Sequence, residues 1–250
     1  MMKFTVILPA RLSSSRLPEK ALADIAGKPM IVRAAEQAAQ SHAQKIIVAT
    51  DHPRIQAACT AHQIVTVMTS EQHTSGTTRL AEAAQLLDLA DDEIVVNVQG
   101  DEPLIPPELI ERVAQKLANN NAPMATAAHY IHDFNEFINP NCVKVVLNQA
   151  GNALYFSRAP IAYPRDLMLA DKPKLPQPAP LRHIGIYAYR VDFLKKYANL
   201  SVSPLEICES LEQLRVLWHG YEIAVEVLDF VPPAGVDTAE DLARIRAYFD

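Results

Sequence analysis

The sequence predicts an α/β fold built on a doubly wound, mostly parallel sheet, with a smaller mixed β/α lobe in the second half. Three observations carry this. Apolar, β-rich runs recur at 5–8, 45–50, 64–68 and 93–98. Helix-length patterns separate them at 30–40, 53–62, 77–87 and 107–119, and strands buried on both faces that alternate with helices form a parallel sheet with right-handed crossovers. After about residue 122 the rhythm changes. Strand-like runs at 125–131, 143–148 and 153–157 follow with little helix between them, the last two joined by Gln149-Ala150-Gly151-Asn152, which has hairpin turn chemistry.

The remaining elements follow in order. Pro160, Pro164, Pro173, Pro176, Pro178 and Pro180 make the next stretch unsuitable for a helix or a central strand, so it is expected to be an irregular surface loop or lid. A strand at 183–190, a helix at 205–219, a strand at 222–227 and a closing helix at 237–248 complete the chain. No repeat, low-complexity tract or linker-like shift in composition divides it, so 1–250 reads as one domain.

Composition narrows the function classes. With 250 residues and 49% hydrophobic content the chain can bury one large core. A net charge of −6 argues against a nucleic-acid partner, which requires a basic stripe. An anionic ligand must instead meet a local cluster, and Arg11, Arg16, Lys20 and Lys28 supply one, against Glu19 and Asp24. Cys59, Cys142 and Cys208 are odd in number and widely spaced, which suggests reduced thiols in a cytoplasmic protein and no zinc site. The first apolar run stops at Pro9, too short for a signal-peptide core, and no run approaches membrane-spanning length, so no membrane association is expected.

The segment from Val6 to Lys20 is the most informative. An apolar strand runs directly into a loop with Arg11, Ser13, Ser14, Ser15, Arg16 and Lys20. A loop at the C-terminal end of a parallel strand is where an open α/β sheet binds ligands, and this chemistry suits a polyphosphate. A solvated connection would also be basic and rich in serine. However, Pro9 and Pro18 restrict the loop, and Gly27-Lys28-Pro29 is read as opening a helix with proline in its first turn. Neither a P-loop nor a dinucleotide-binding glycine motif is present, so the site is of another kind.

Other segments add chemistry. Asp101, in Asn97-Val98-Gln99-Gly100-Asp101-Glu102-Pro103 at the end of the fourth strand, can hold a hard cation beside a phosphate, or simply cap a turn. Asp237 is a candidate second carboxylate, although Asp237 with Glu240 also resembles a capping box. Ser75, Gly76, Thr77 and Arg79 belong to a hydroxyl-rich turn that could cap a helix or border a base and ribose. Arg158, Arg182 and His183 flank the proline-rich loop, where a carboxylate-bearing substrate would want a bidentate arginine; His183 alone could equally be a packed histidine. Glu212 and Gln213 could reach sugar hydroxyls or face solvent, while the neighbouring leucines are spaced for the core.

Taken together, Pro9-Ala10-Arg11, Arg16-Leu17-Pro18, Lys20, residues 73–79, residues 97–103, Tyr155-Phe156-Ser157-Arg158, His183-Ile184-Gly185-Ile186-Tyr187, residues 211–217 and residues 235–238 resemble the 3-deoxy-manno-octulosonate cytidylyltransferases, across essentially the whole chain and in the same order. The resemblance implies a Rossmann-like, nucleotidyltransferase-type sheet and a reaction in which the anomeric hydroxyl of 3-deoxy-D-manno-octulosonate (Kdo) attacks the α-phosphorus of CTP. CMP-Kdo and pyrophosphate result, for lipopolysaccharide biosynthesis. It implies that Pro9, Ala10, Arg11, Ser13, Arg16, Lys20, Ser75, Gly76, Thr77, Arg79 and Gln99 bind the nucleotide. Gln99, Arg158, His183, Tyr187, Glu212 and Gln213 would line the Kdo pocket. Asp101 and Asp237 would hold Mg2+, and with Lys20 and Arg16 form the catalytic group. It also implies a homodimer, a nucleotide-binding half at about 1–122, a sugar-binding and dimerisation lobe at about 123–236 and a closing helix at 237–250. Glu19 and Ala21 depart from the family's usual glycine and proline, which predicts an added negative charge and a freer phosphate loop. The same fold could serve sialic acid or a sugar 1-phosphate; Arg158 and His183 disfavour the latter.

Overall fold

The computed structural model describes residues 2–14, 17–73, 75–170, 172 and 174–249. In chain order the elements are β1 (Phe4–Ala10), a 3-10 turn (Lys20–Leu22), β2 (Asp24–Ile25), β3 (Lys28–Pro29), α1 (Met30–Ala38), β4 (Lys45–Thr50), α2 (Pro53–Ala61), β5 (Val65–Met68), α3 (Gly76–Leu86), β6 (Ile94–Asn97) and α4 (Pro107–Ala118). The second half continues with β7 (Met124–Tyr130), α5 (Phe134–Ile138), β8 (Lys144–Leu147), β9 (Ala153–Ser157), α6 (Arg165–Met168), β10 (Leu181–Arg190), α7 (Val191–Tyr197), α8 (Pro204–Glu209), α9 (Leu214–Trp218), β11 (Ile223–Leu228) and α10 (Ala239–Phe249).

One sheet runs through both halves in the order β11-β7-β10-β6-β1-β4-β5, with the β8–β9 hairpin attached to β10. β1 pairs in parallel with β4 and β6, and β4 with β5. β10 runs antiparallel between β6 and β7, and β11 is parallel to β7. The chain leaves β1 toward β4 and β5, then returns to place β6 on the other side of β1. That reversal opens a crevice at the C-terminal ends of β1 and β6.

Core burial explains the arrangement. Val6 and Leu8 pack with Ile31, Val48, Ile110 and Val113 on one face, while Ile7 joins Leu80, Val95, Tyr189 and Phe193 on the other. A strand sandwiched this way is apolar throughout, which is why β1 was legible as a continuous run. A smaller cluster of Ile25, Met30, Val236, Leu242 and Ile245 ties α10 and the segment before it to the hairpin beyond the loop that follows β1.

Several boundaries differ from the sequence reading. The helix expected at 205–219 is two helices, broken at Ser210, which takes a left-handed φ of 51°. The break folds Leu211 back so that its N–H donates to the Glu206 carbonyl and both Leu211 and Leu214 enter the core. Apolar spacing alone is compatible with either arrangement. Pro29 lies before α1, not in its first turn: β2 and β3 form a tight hairpin through Ala26 and Gly27, both at positive φ. The last helix begins at Ala239. Its cap is Thr238, whose Oγ1 accepts from the Asp241 N–H at 3.2 Å, while Asp241 Oδ2 accepts from the N–H groups of Asp237 and Thr238. The capping partner is therefore Asp241, not Glu240, and the Asp237 carboxylate meets Lys20. α5, α6 and α7 went unread in the sequence: α6 is a single turn inside the proline-rich stretch expected to hold no helix, and α7 follows β10 without an intervening turn signal.

Candidate active site

A cavity of about 300 Å³ opens at the crevice between β1 and β6. Its lining comes from four segments: Pro9, Ala10, Arg11, Ser13, Ser14, Lys20 and Ala21 after β1; His73, Ser75, Gly76 and Arg79 around the start of α3; Gln99, Gly100 and Asp101 after β6; and Asp237 before α10. Ser14, His73 and Gly100 were not singled out individually as site residues. Gly100 is needed by packing: a Cβ there would lie 2.9 Å from Ile31 Cδ1 and 3.3 Å from the Pro9 carbonyl oxygen. Gly235 plays the same part, since its Cβ would stand 3.1 Å from the Asp101 carbonyl oxygen. The approach at Gly235 lets the Asp237 segment lie against the Asp101 loop, where the Val236 N–H donates to the Asp101 carbonyl at 2.9 Å, while the approach at Gly100 seats that loop against the end of β1.

Lys20 joins the two carboxylates. Its Nζ donates to Asp101 Oδ2 at 2.5 Å, to the Val236 carbonyl at 2.8 Å and to Asp237 Oδ1 at 3.2 Å. Arg11 is exposed on the same loop and makes no hydrogen bond or ion pair among the described residues. Arg16 lies outside the described residues. Glu19 corrects the expectation of a freer loop: it takes a left-handed φ of 51°, the conformation that favours glycine. Its carboxylate is bidentate to Arg54, with Nη2 to Oε2 at 2.8 Å. Hydrogen bonding to Arg54 holds the Glu19 carboxyl below the usual range, so the added charge is partnered and the turn is tethered to α2.

The wall opposite is equally fixed. Ser75 is the N-cap of α3, its Oγ accepting from the Thr78 N–H. Arg79 is buried and donates to Asp51 Oδ2 at 2.5 Å and to Thr69 Oγ1 at 2.7 Å. Thr77 turns inward, its hydroxyl 3.2 Å from Tyr189 Oη, and does not line the cavity. Gln99 Nε2 reaches Asn97 Oδ1 at 3.4 Å.

The residues expected to meet a sugar divide into groups. Phe156, His183, Tyr187 and Tyr189 form a row of rings at centroid spacings of 5.0, 5.5 and 6.1 Å. His183 Nε2 lies 3.0 Å from Thr126 Oγ1, and burial of the ring pushes its pKa down to about 3, so it is neutral at pH 7. Burial, with Tyr189 and Glu212 nearby, raises the Tyr187 phenol well above its ordinary range. His183 also borders a second cavity of about 510 Å³, which shares Asp101 and Asp237 with the first. Glu212 Oε1 accepts from Ser75 Oγ at 2.9 Å, bringing residues far apart in sequence into direct contact across the site. Gln213 is buried, and its Nε2 is a buried side-chain donor with no hydrogen-bond partner among the described residues. Arg158 stands apart: its guanidinium donates to the carbonyls of Glu209 (2.7 Å), Pro140 (3.0 Å) and Ser210 (3.4 Å), and it lines neither cavity. Arg182 is spent on Glu136 at 2.7 Å.

A family model described as cytidylyltransferase matches residues 5–223. The chain belongs to the cytidylyltransferase family. It is accordingly a nucleotidyltransferase. Within the family it sits with the 3-deoxy-manno-octulosonate cytidylyltransferases: it is 68% identical over 250 residues to the protein of that name from Neisseria gonorrhoeae, covering 100% of this chain and 99% of the relative. The protein of that name from Herminiimonas arsenicoxydans is 59% identical over 249 residues, covering 99% of each chain. A solved structure of CMP:2-keto-3-deoxy-manno-octonic acid synthetase complexed with CTP superposes with a TM-score of 0.89 at 41% identity, covering 100% of this chain and 98% of that one. The fold alone extends to 4-diphosphocytidyl-2C-methyl-D-erythritol synthase, with a TM-score of 0.65 at 11% identity. The mixed α/β architecture with a mostly parallel central sheet is that of the 41%-identical neighbour. No helix among the described residues is long and apolar enough to cross a membrane.

Proposed function

We propose that the chain transfers CMP from CTP to the anomeric hydroxyl of Kdo, releasing pyrophosphate and CMP-Kdo. The new bond joins the sugar oxygen to the α-phosphorus, and the bond to the pyrophosphate oxygen breaks. The observation that carries this reading is the convergence of Asp101, Asp237 and the Val236 carbonyl on a single ammonium group at the wall of the crevice cavity. Those oxygens already surround a positive charge, so the donor set fits a hard divalent cation, magnesium in our reading, completed by phosphate oxygens and water. Among the described residues no group of three or more His, Cys, Asp or Glu side chains forms a metal cluster. A cation held by Asp101 and Asp237 would supply charge neutralisation at the phosphates.

The chain's own residues do the rest by positioning and electrostatics, as phosphoryl-type transfer requires. In this reading Lys20, once released from the carboxylates, grips a phosphate together with Arg11 and Ser13, which line the same cavity, and Arg16. Ser75, Gly76 and Arg79 form the nucleoside border, backed from the interior by Thr77, with Pro9, Ala10 and Gln99 as the floor. Neutral His183, with Tyr187, Gln99, the unpartnered Gln213 donor and Glu212, forms the sugar subsite. Arg158 would have to leave its three carbonyls to meet the sugar carboxylate, and as it stands it fixes the turn at Ser210 beside this subsite. In this reading residues of about 1–122 serve the nucleotide, about 123–236 serve the sugar and a homodimer contact, and 237–250 close the domain. The enzyme works in the cytoplasm and feeds lipopolysaccharide assembly.

The test is pyrophosphate release by the purified protein with magnesium, supplying CTP or UTP with Kdo, its 8-amino analogue or sialic acid. Release with CTP and Kdo alone is expected. Turnover only with another sugar or base would overturn the substrate pair, and no release with any pair would overturn the reaction.

A further inference from the structure

Tyr197 lies in α7, which supplies no residue to either cavity described above, yet its hydroxyl is bonded to Glu212, which in turn contacts Ser75 of the cavity lining. Tyr197 is 1% exposed, and its Oη donates to Glu212 Oε1 at 2.8 Å. Ser75 Oγ donates to the same oxygen at 2.9 Å. Two donors from different elements therefore fix one carboxylate oxygen, and among the described residues Oε2 accepts no hydrogen bond. The ring of Tyr197 is itself immobilised. Arg215 stacks over it with its guanidinium carbon 5.0 Å from the centroid, and is held by Glu206 at 2.8 and 2.6 Å. Glu206 closes the capping box with Ser203 at the start of α8. Phe193 packs against the ring edge.

We infer that Tyr197 is a positioning residue for the acid-sugar subsite, and that the Tyr197–Glu212–Ser75 bridge fixes the Glu212 carboxylate so that its free oxygen faces a sugar hydroxyl. The bridge also joins the two subsites physically. Ser75 Oγ accepts from the Thr78 N–H while donating to Glu212, so the first turn of α3, at the nucleoside border, and the turn carrying Glu212 and Gln213 share one hydroxyl. A carboxylate tied at one oxygen loses less rotational freedom on binding a polyol than a free one, which is preorganisation. The inference rests on the reading that Glu212 contacts the sugar.

The experiment is a double-mutant cycle in the whole enzyme. Tyr197→Phe keeps the ring and its stacking and removes only the hydroxyl. It is expected to raise KM for Kdo about tenfold, the scale of one hydrogen bond to a charged group, while leaving KM for CTP within about twofold. On a Glu212→Ala background, which removes the acceptor, Tyr197→Phe should have no further effect on KM for Kdo. Ser75→Ala removes the other donor and should shift KM for Kdo in the same direction, which keeps the assignment testable if Tyr197→Phe does not fold. An unchanged KM for Kdo in the folded Tyr197→Phe enzyme, or in Ser75→Ala where the first does not fold, overturns the inference. So does an equal loss on both backgrounds. If Glu212→Ala itself leaves KM for Kdo unchanged, the underlying sugar-subsite reading fails, and the inference fails with it.

Discussion

Lys20 and Lys144 each sit in a ring of oxygens, and the contrast between them separates a working region from a structural one. Lys20 faces two carboxylates and a carbonyl at a cavity wall. Lys144 is fully buried and donates to three carbonyls, of Asn139 (2.9 Å), Cys142 (2.6 Å) and Arg158 (2.6 Å), with no carboxylate among them. Carboxylates can exchange one cation for another, so the first ring can release its lysine to a phosphate. Carbonyls buried away from water cannot lose their donor without a cost. The second ring therefore locks the end of β9 to the 139–142 turn, and burial pushes the Lys144 ammonium below its ordinary pKa.

The comparison is broken most directly at Asp101. Asp101→Asn should leave the fold intact, by circular dichroism and melting temperature, and lower turnover at least ~100-fold in a pyrophosphate-release assay, the scale of losing one well-placed electrostatic contact. Near-normal turnover would remove Asp101 from the reaction. The mirror experiment is Lys144→Met, expected to cost roughly 2 kcal/mol in denaturant unfolding, because three carbonyls, one of them fully buried, lose their donor, with KM for CTP unchanged. Parent-like stability would mean that this ring contributes little beyond packing.

Lys20→Met sharpens the exchange. With the resident cation gone, the protein without nucleotide should bind Mn2+ several-fold more tightly by electron paramagnetic resonance, because the competing ammonium no longer holds the carboxylates. Weaker Mn2+ binding would show that Lys20 supports the site and does not compete for it.

The narrowest expected effect, confined to acid pH, belongs to His183. Its folded pKa of about 3 lies below the ordinary 6.5, so between those values the unfolded chain binds the extra proton and stability falls as the pH is lowered. His183→Gln should flatten the pH dependence of unfolding between about 3 and 6.5 by no more than one proton's worth. An unchanged slope would mean that the ring titrates normally.

Much of the site was legible because its chemistry is concentrated where short apolar runs end. β1 ends in the loop of Arg11 and Lys20, and β6 ends at Asp101, so strand ends and polar clusters coincide in the sequence. Tyr197 could not be found this way: it lies in a helix without a turn signal, and its hydroxyl matters only because Glu212 folds back to meet it. The Ser210 break was hidden for a related reason, since no glycine marks it and the leucine spacing suits one helix as well as two. Glu19 was visible as a departure, but its partner Arg54 lies 35 positions away, and local sequence carries no information about such a pair.

The sequence by itself determined the doubly wound class, the order of most elements and the segments rich in cation- and phosphate-binding chemistry, because hydrophobic periodicity and loop composition are local properties. Only the tertiary structure decided which oxygens surround Lys20, that Arg158 is occupied by carbonyls and that one glutamate oxygen is shared by Ser75 and Tyr197. Those are outcomes of strand order, close backbone approach at Gly100 and Gly235, and burial, and each joins residues that no local pattern relates.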